Sequence, residues 1–166
     1  MPFKLAPGSA RSATERIKLR SFQNRDMKTL LKIDQECFPP GVSYNLEELT
    51  EFVRHPSSRT WVVEAEGAVG GFLIAHRDSP ASAHIITIDV LEKWRRQGMG
   101  NLLIYVAENW AIRRGLRRMV LETSEQNSAA QRFYRARGYR HVRTIPHYYS
   151  DGSAAWVMTK DFDAAR

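Results

Sequence analysis

The chain has 166 residues, a net charge of +7 and a hydrophobic content of 43%, which together are typical of one soluble globular domain. It has no apolar run long enough to span a membrane, no secretory signal, and one cysteine, Cys37, which excludes an internal disulfide and a cysteine-based metal site. These features indicate a cytoplasmic protein that needs no metal, and because no nucleic-acid-binding motif is present, the basic charge fits a polyphosphorylated cofactor or an acidic partner.

The first half of the chain is predicted to contain two short helices and a set of consecutive antiparallel strands. Residues 1–15 are expected to form a disordered leader, followed by a single domain over residues 16–163. Asn45 and Glu48 approximate a capping box, which predicts a helix start at residue 46. Residues 77–83 are predicted to form a loop. The predicted helices cover residues 24–37 and 46–54, and the predicted strands cover residues 17–22, 60–65, 68–75 and 84–90.

The second half begins with the most strongly periodic helix, over residues 99–114. A strand is predicted over residues 118–123, and because a helix separates it from the strand at 84–90, the two strands should be parallel. Asn127 or Ser128 should cap the last helix, and strands are predicted over residues 139–149 and 153–160. The whole pattern predicts an α+β fold with about four helices and a mixed, mostly antiparallel sheet of six or seven strands.

A glycine-rich turn lies between the strand at 84–90 and the periodic helix, with the sequence Arg95-Arg96-Gln97-Gly98-Met99-Gly100. The free N–H groups and the positive dipole end of that helix favour an anion, and glycines let a pyrophosphate approach the backbone. The turn is neither a Walker loop nor the three-glycine dinucleotide fingerprint. The alternative is a structural strand-to-helix turn with solvent-exposed arginines.

The pattern Arg-x-x-Gly-x-Gly resembles the acetyl-CoA pyrophosphate loop of the GNAT superfamily of N-acetyltransferases. The segment Val120-Leu121-Glu122 … Asn127 … Ala130 … Phe133-Tyr134 … Gly138-Tyr139 is similar to the next conserved block of that superfamily. The segments at 33–39 and 146–158 resemble the RimI-type ribosomal-protein N-α-acetyltransferases and related protein N-terminal acetyltransferases. The loop after Phe38 is longer than the compact RimI form, which leaves the acceptor open.

The resemblance implies a reaction in which a primary amine attacks acetyl-CoA held between two splayed parallel strands. It implies that Glu122 is a water-mediated general base and that Tyr134 is the general acid. An α-amino group has a pKa near 8 and a lysine side chain a pKa near 10.4, so a weaker base suffices to deprotonate the α-amino group. The alternatives are a surface carboxylate for Glu122 and a core aromatic residue for Tyr134.

The resemblance also implies two sets of binding residues. A backbone N–H near Val90 would stabilise the carbonyl oxygen of the thioester. For Asp89, the simpler account is a side chain that faces outward. Tyr148 and Tyr149, if consecutive on a strand, would face opposite ways. The implied acetyl-CoA contacts are Ile88, Asp89, Val90, Arg95, Arg96, Gln97, Gly98, Met99, Gly100, Asn101, Asn127 and Tyr134. The implied walls of the acceptor groove are Phe38, Pro39, Tyr44, Tyr148 and Tyr149.

Three functions remain open from the sequence. The first is acetylation of a protein N-terminus, with a ribosomal protein as one candidate partner. The second is acetylation of a small-molecule amine or a lysine side chain. The third is a catalytically silent acetyl-CoA-binding module, which the presence of both Glu122 and Tyr134 disfavours. The oligomeric state is left as monomer or homodimer.

Overall fold

A seven-stranded mixed sheet forms the centre of residues 17–163, the part of the chain that the computed structural model describes. The strand order is β1-β2-β3-β4-β5-β7-β6, and β4 and β5 form the one parallel pair of this sheet. The predicted mixed sheet with a parallel pair is therefore confirmed. The expected leader at 1–15 lies outside the described residues. The strands are β1 (Ile17–Ser21), β2 (Ser58–Ala65), β3 (Ala68–Arg77), β4 (Ser82–Val90), β5 (Arg118–Ser124), β6 (Arg140–Ile145) and β7 (Ala155–Asp161).

Four α-helices cover the two faces of the sheet. Helix α2 starts with the predicted capping box, in which the Glu48 N–H donates to Asn45 Oδ1 at 2.9 Å and the Asn45 N–H donates to Glu48 Oε2 at 2.9 Å. In the described part of the chain, no helix has both the length and the apolar character that crossing a membrane requires. The helices are α1 (Met27–Cys37), α2 (Leu46–Arg54), α3 (Met99–Arg113) and α4 (Ser128–Arg135), with short 3-10 turns at Asn24–Asp26 and Glu92–Trp94.

The core has one apolar layer on each side of the sheet. Helices α3 and α4 bury side chains such as Leu103 and Tyr134 against one face. Helices α1 and α2 bury Leu30 and Leu49 against the other. The central strands β3 and β4 are therefore covered on both faces, and the middle of β3, residues 70–75, is buried throughout.

Two predicted boundaries were wrong for identifiable reasons. The loop predicted at 77–83 is shorter, because Arg77 pairs with Ala83 and extends the β3–β4 hairpin. Strand β6 stops at Ile145, since Pro146 has no N–H to donate to a ladder and His147 has a φ of 53°. Tyr148 and Tyr149 consequently lie in the turn before β7 and not on a strand.

The parallel pairing of β4 and β5 covers only their first residues. It joins Ser82 through Ile85 with Arg118 through Leu121 and then ends, although both strands continue. The strands separate from that point towards their carboxyl ends. Ligands of α/β sheets bind in crevices of this kind, beyond the carboxyl ends of strands.

A buried carboxyl pair lies between β4 and α1. Asp34 is 0% and Asp89 1% exposed, so the expectation that Asp89 faces outward was wrong, because α1 covers that face of β4. Thr87 Oγ1 donates to Asp89 Oδ1 at 2.6 Å, and the Tyr44 N–H donates to Asp34 Oδ2 at 2.6 Å. Burial raises the pKa of both carboxyls, and the charge of Asp34 raises that of Asp89 further. The pair therefore retains a shared proton at pH values at which exposed carboxyls have lost theirs.

Replacing Asp89 by asparagine should remove the pH dependence that this pair gives to stability. A group whose pKa is raised in the folded state stabilises it fully below the unfolded-state pKa, near 3.8, and loses that contribution as pH rises through the folded-state pKa. The asparagine side chain would keep the acceptor for Thr87 and could donate to Asp34 permanently. Between the unfolded-state and the folded-state pKa, the free energy of unfolding of Asp89→Asn should therefore rise relative to that of the wild type by about 1.4 kcal/mol per pH unit.

Urea unfolding at several pH values measures this difference. The control is Glu36→Gln, an exposed carboxyl on the same helix as Asp34, which should change the unfolding free energy by less than about 0.5 kcal/mol at any pH. Parallel pH profiles for wild type and Asp89→Asn would show that the two carboxyls do not share a proton.

Candidate active site

The glycine-rich turn opens helix α3 with a conformation that glycine adopts without strain. Gly98 is the N-cap residue and has a φ of 89°, and the Leu102 N–H donates to its carbonyl at 3.0 Å. The N–H groups of Met99, Gly100 and Asn101 belong to the first turn and have no acceptor within the helix. These three donors and the helix dipole form an anion site beside the ends of β4 and β5.

Gly100 has a packing role as well. A Cβ atom at this position would lie 3.0 Å from two ring carbons of Phe133, so helix α4 approaches α3 closely there. The Arg137 guanidinium stacks on the same ring at 3.5 Å from its centroid. The second glycine of the motif is thus required by the contact between α3 and α4, which the sequence analysis did not consider.

The side chains of the turn bind the protein's own backbone. Arg95 Nε donates to the Val90 carbonyl at 2.9 Å, and Gln97 Nε2 donates to the Lys93 carbonyl at 3.0 Å. Arg96 has a φ of 61° and an exposed side chain. The anion donors that the geometry offers here are therefore main-chain N–H groups, with Arg96 the one free arginine side chain of this turn.

The end of β4 presents backbone groups to the gap. The Leu91 N–H donates to the Gly70 carbonyl on the β3 side, and because peptide groups alternate along a strand, those of Ile88 and Val90 face the gap that β5 leaves. The Val90 carbonyl accepts from Arg95 and from Cys37 Sγ, the latter at 3.5 Å. The Asp89 side chain is buried on the α1 side of β4.

An open cavity of about 530 Å³ continues from the turn along α3. It contains two basic side chains, Arg137 and Lys160, and Lys160 Nζ donates to Glu108 Oε2 at 2.8 Å. The sequence analysis missed both residues, since they come from the segment after α4 and from β7, which only the fold brings to the same cavity. The lining residues are Gly98, Asn101, Leu102, Ile104, Tyr105, Glu108, Arg137 and Lys160.

Glu122 lies where the parallel strands part, as the first β5 residue beyond the pairing. Its Oε2 is 2.5 Å from His84 Nε2, and the two side chains are 18% and 20% exposed. Burial opposes the charged form of His84, but the hydrogen bond to Glu122 and the charges of Glu122 and Asp78 together raise the pKa of His84. The sequence analysis missed His84. In the parallel register His84 pairs with Val120, which lies two residues before Glu122 on the same face of β5.

Tyr134 is buried between the sheet and α4, with 6% of its surface exposed. Its ring packs edge-on against Phe133 and Tyr139, with centroids 5.3 and 5.8 Å apart. Burial, and next the charge of Asp89, raise the pKa of the phenol. The hydroxyl is therefore fully protonated at neutral pH. Asn127 is the N-cap of α4, and its Oδ1 accepts from the Ala130 N–H at 3.0 Å, so its amide nitrogen is left for a ligand.

Two loops meet on the α1 side of the gap. Ser150 Oγ donates to the Gly41 carbonyl at 2.8 Å and joins the turn before β7 to the loop between α1 and α2. The Tyr148 and Tyr149 rings are 4.9 Å apart, edge to face, and besides burial the charge of Glu122 raises the pKa of both. Tyr148 is 46% exposed. Both tyrosines therefore belong to the turn that Ser150 joins to the loop between α1 and α2.

The remaining predicted wall residues differ in accessibility. Tyr44 packs against Phe52 at 5.1 Å, and its hydroxyl donates to the Ile86 carbonyl at 3.4 Å, so it is part of the α1–α2 layer. Phe38 is half-buried and Pro39 is exposed. The accessible part of this wall is therefore formed by Phe38, Pro39 and Tyr148.

Comparisons with known proteins agree with this arrangement. An uncharacterized N-acetyltransferase of Methanocaldococcus jannaschii is 30% identical over 143 residues, covering 86% of this chain and 90% of that protein. An N-alpha-acetyltransferase of Sulfurisphaera tokodaii is 25% identical over 154 residues, covering 85% and 90%. The crystal structure of Ard1 from Thermoplasma volcanium superposes with a TM-score of 0.83 at 26% identity, covering 90% and 99%.

The sequence profile of the acetyltransferase (GNAT) family matches residues 27–139, which is more than half of the chain. The matched segment runs from the start of α1 to the end of the turn after α4, and so includes the glycine-rich turn, Glu122 and Tyr134. The chain therefore belongs to the GNAT family of acetyltransferases, the enzymes that transfer an acetyl group from acetyl-CoA.

Proposed function

We propose that this protein acetylates the α-amino group of protein N-termini, with a hydrogen-bonded His84–Glu122 pair as the base and Tyr134 as the donor to the leaving thiolate. The observation that carries the proposal is the position of that pair, at the point where β4 and β5 part. The relative from Sulfurisphaera tokodaii, named an N-alpha-acetyltransferase, supports the choice of acceptor.

Acetyl-CoA would bind through groups that differ along its length. The N–H groups of Met99, Gly100 and Asn101 would hold the diphosphate, and Arg137 and Lys160 offer positive charge further along the cavity. The backbone of Ile88 would pair with the pantetheine arm from one side of the gap, and the Asn127 amide from the other. The Val90 N–H would then donate to the thioester carbonyl as negative charge develops on its oxygen.

The first chemical task is to deliver the amine in its neutral form. An α-amino group has a pKa near 8, so a base of moderate strength removes its proton near neutral pH. Glu122 would order the water that takes this proton, and His84 would share the proton with the carboxylate. The hydrogen bond between the two side chains, 2.5 Å long, is the path for this sharing.

The second task is to stabilise the departing thiolate. The raised pKa of Tyr134 keeps its proton in place, but it widens the difference from a thiol near 8.5. Tyr134 would therefore act mainly by donating a hydrogen bond to the sulfur, and would transfer its proton only late in the step. The attack is direct. The amine nitrogen forms a bond to the carbonyl carbon of the thioester, and the carbon–sulfur bond breaks.

The acceptor would be an extended peptide end that lies between the Phe38–Pro39 segment and Tyr148. Tyr148 and the Phe38–Pro39 segment lie on the Glu122 side of the gap, and the Ser150–Gly41 hydrogen bond joins the two loops that carry them. A ribosomal protein is one candidate acceptor, as the resemblance of residues 33–39 and 146–158 to the RimI-type subgroup suggests. A small-molecule amine and a lysine side chain are the alternatives that experiment must separate.

Replacing either His84 or Glu122 should move the acidic limb of the kcat–pH profile. In the wild type, the raised pKa of His84 places this limb above the ordinary histidine value of 6.5. His84→Gln leaves a carboxylate alone, so the limb should move to lower pH. Glu122→Gln should lower kcat by about 100-fold or more, and its limb should also move down, because burial then lowers the pKa of His84.

The profile is measured at saturating acetyl-CoA and peptide by release of the thiol. His141→Gln, an exposed histidine on β6, is the matched control and should retain the wild-type profile. Acidic limbs that coincide in all four proteins would remove the pair from the mechanism.

Tyr134→Phe should preserve acetyl-CoA binding and reduce kcat. Phenylalanine keeps the packing against Phe133 and Tyr139 and removes only the hydroxyl, so the dissociation constant of acetyl-CoA should stay within about twofold. The loss in kcat should be about 100-fold. Calorimetric titration with acetyl-CoA and steady-state kinetics measure the two effects separately, and full activity of the variant would assign Tyr134 to the core alone.

A peptide array distinguishes the acceptors. Peptides with a free N-terminus should be acetylated, whereas the same sequences with a blocked N-terminus and an internal lysine should not, because the lysine pKa near 10.4 is too far from that of the base. Acetylation of the blocked peptides, or of a polyamine in preference to every peptide, would replace this acceptor by one of the alternatives. Binding of acetyl-CoA without turnover of any amine would indicate a silent module.

A further inference from the structure

A histidine pair lies across the β3–β4 hairpin, and one of its members, His84, also bonds to Glu122. His76 and His84 are directly opposite each other in the antiparallel register, and their ring centroids are 5.6 Å apart at a steep angle. Asp78 follows β3, and its Oδ1 lies 3.7 Å from His76 Nε2. One potential ligand atom from each of the three residues falls within a mutual distance of 4.8 Å.

These distances suit ligands of one ion better than partners in a hydrogen bond. Two ligand atoms bound to a tetrahedral zinc ion at about 2.0–2.2 Å lie about 3.3–3.5 Å apart. The 3.7 Å between His76 and Asp78 is too long for a hydrogen bond and close to this ligand separation. Two imidazoles and one carboxylate are also a donor set that zinc accepts, with a water as the fourth ligand.

The surroundings of the cluster favour an ion that enters from solvent. The His76 side chain is 19% exposed, and its Nε2 is the ring nitrogen that lies near Asp78. The Asp78 side chain is 50% exposed, so the site is open at its rim. The His55 ring lies against the His76 ring with centroids 5.5 Å apart, which restricts the movement of His76.

We propose that His76, Asp78 and His84 bind a divalent transition-metal ion, with zinc as the best match, and that the bound ion inhibits acetyl transfer. His84 Nε2 already contacts Glu122, so a metal on its other nitrogen would complete a carboxylate–histidine–metal arrangement that fixes Glu122 in place. A metal on Nε2 would instead draw Glu122 into its own coordination. In the first arrangement the ion makes His84 a fixed hydrogen-bond donor to Glu122, and in the second it binds Glu122 itself, so in both the carboxylate is less available to the water that takes the proton of the amine.

The inhibitory part of this proposal rests on the role proposed for Glu122, whereas the binding part does not. Metal binding is therefore measured first and without any reaction. The full chain without a purification tag is titrated with Co²⁺, and the visible absorption is recorded. One Co²⁺ per chain should bind with the intense bands of a four-coordinate ion, and Zn²⁺ should displace it.

Three variants locate the site. His76→Ala and Asp78→Ala should each weaken Co²⁺ binding by at least about tenfold. The matched control is His141→Ala, which removes an exposed histidine on β6 and should bind as the wild type does. Asp78 is exposed in a hairpin turn, so its variant remains informative even where His76→Ala unfolds. Wild-type binding by Asp78→Ala, or no four-coordinate spectrum in the wild type, would overturn the site.

Inhibition is then tested with Zn²⁺ in the acetyl-transfer assay, with the activity of each protein expressed relative to its own activity without metal. Zn²⁺ should lower the wild-type kcat without changing acetyl-CoA affinity, and Asp78→Ala should need at least about tenfold more Zn²⁺ for the same loss. Equal sensitivity of both proteins, despite a confirmed cobalt site, would overturn the regulatory part. A protein that binds Co²⁺ at this site but acetylates nothing would refute the proposed function and leave the metal site standing.

Discussion

The structure depends on one interruption of hydrogen bonding, the end of the parallel ladder between β4 and β5 after Ile85 and Leu121. A sheet that continued would satisfy its own peptide groups and leave no room for a ligand. Because the two strands part, backbone groups of Ile88 and Val90 face an opening instead of a neighbouring strand. The same opening lies beside the first turn of α3, whose N–H groups also lack partners. Unsatisfied donors from two elements therefore meet at one place.

The covering of both faces of β4 has consequences for charge. In a half-exposed strand, Asp89 would face water, but α1 closes that side and forces it against Asp34. On the other side, Tyr134 is desolvated by the α3–α4 layer, and the charge of Asp89 raises its pKa further. The buried carboxyl pair thus acts on the phenol across the sheet. A proton retained by that pair limits the negative charge beside the place where a thiolate would form.

The order of the elements could be predicted from the sequence because it follows from local patterns. Helix α3 has five apolar residues at helical spacing, α2 has its capping box, and a helix between two strands requires them to be parallel. The errors arose where tertiary contacts overrode local polarity. Ser82 and Ala83 resemble a loop, but Ala83 pairs with Arg77 of β3 and Ser82 pairs with Arg118 of β5. The pair Tyr148-Tyr149 resembles a strand, but the ladder already ends before Pro146.

The candidate site could be predicted only in the parts that a contiguous motif encodes. Gly98 and Gly100 stand in such a motif, and so do Glu122 and Tyr134. His84 belongs to no motif, since its importance comes from the register that brings it to Glu122, and Arg137 and Lys160 meet in one cavity through contacts that no spacing in the sequence expresses. The role of Gly100 in admitting Phe133 is likewise visible only once α4 is placed beside α3.

The location of the His84–Glu122 pair would let one sheet combine cofactor binding and acceptor choice. The free N–H groups of α3 lie on the face covered by α3 and α4, whereas His84 packs beside His76, and through it His55, on the face covered by α1 and α2. The gap between β4 and β5 is the passage that joins the two faces. The two loops proposed to form the acceptor side could therefore vary in length and sequence without disturbing the donors that would hold the diphosphate. Their mutual contact, from Ser150 to Gly41, joins segments 109 residues apart in the chain, so the two loops come together only when the whole sheet is assembled.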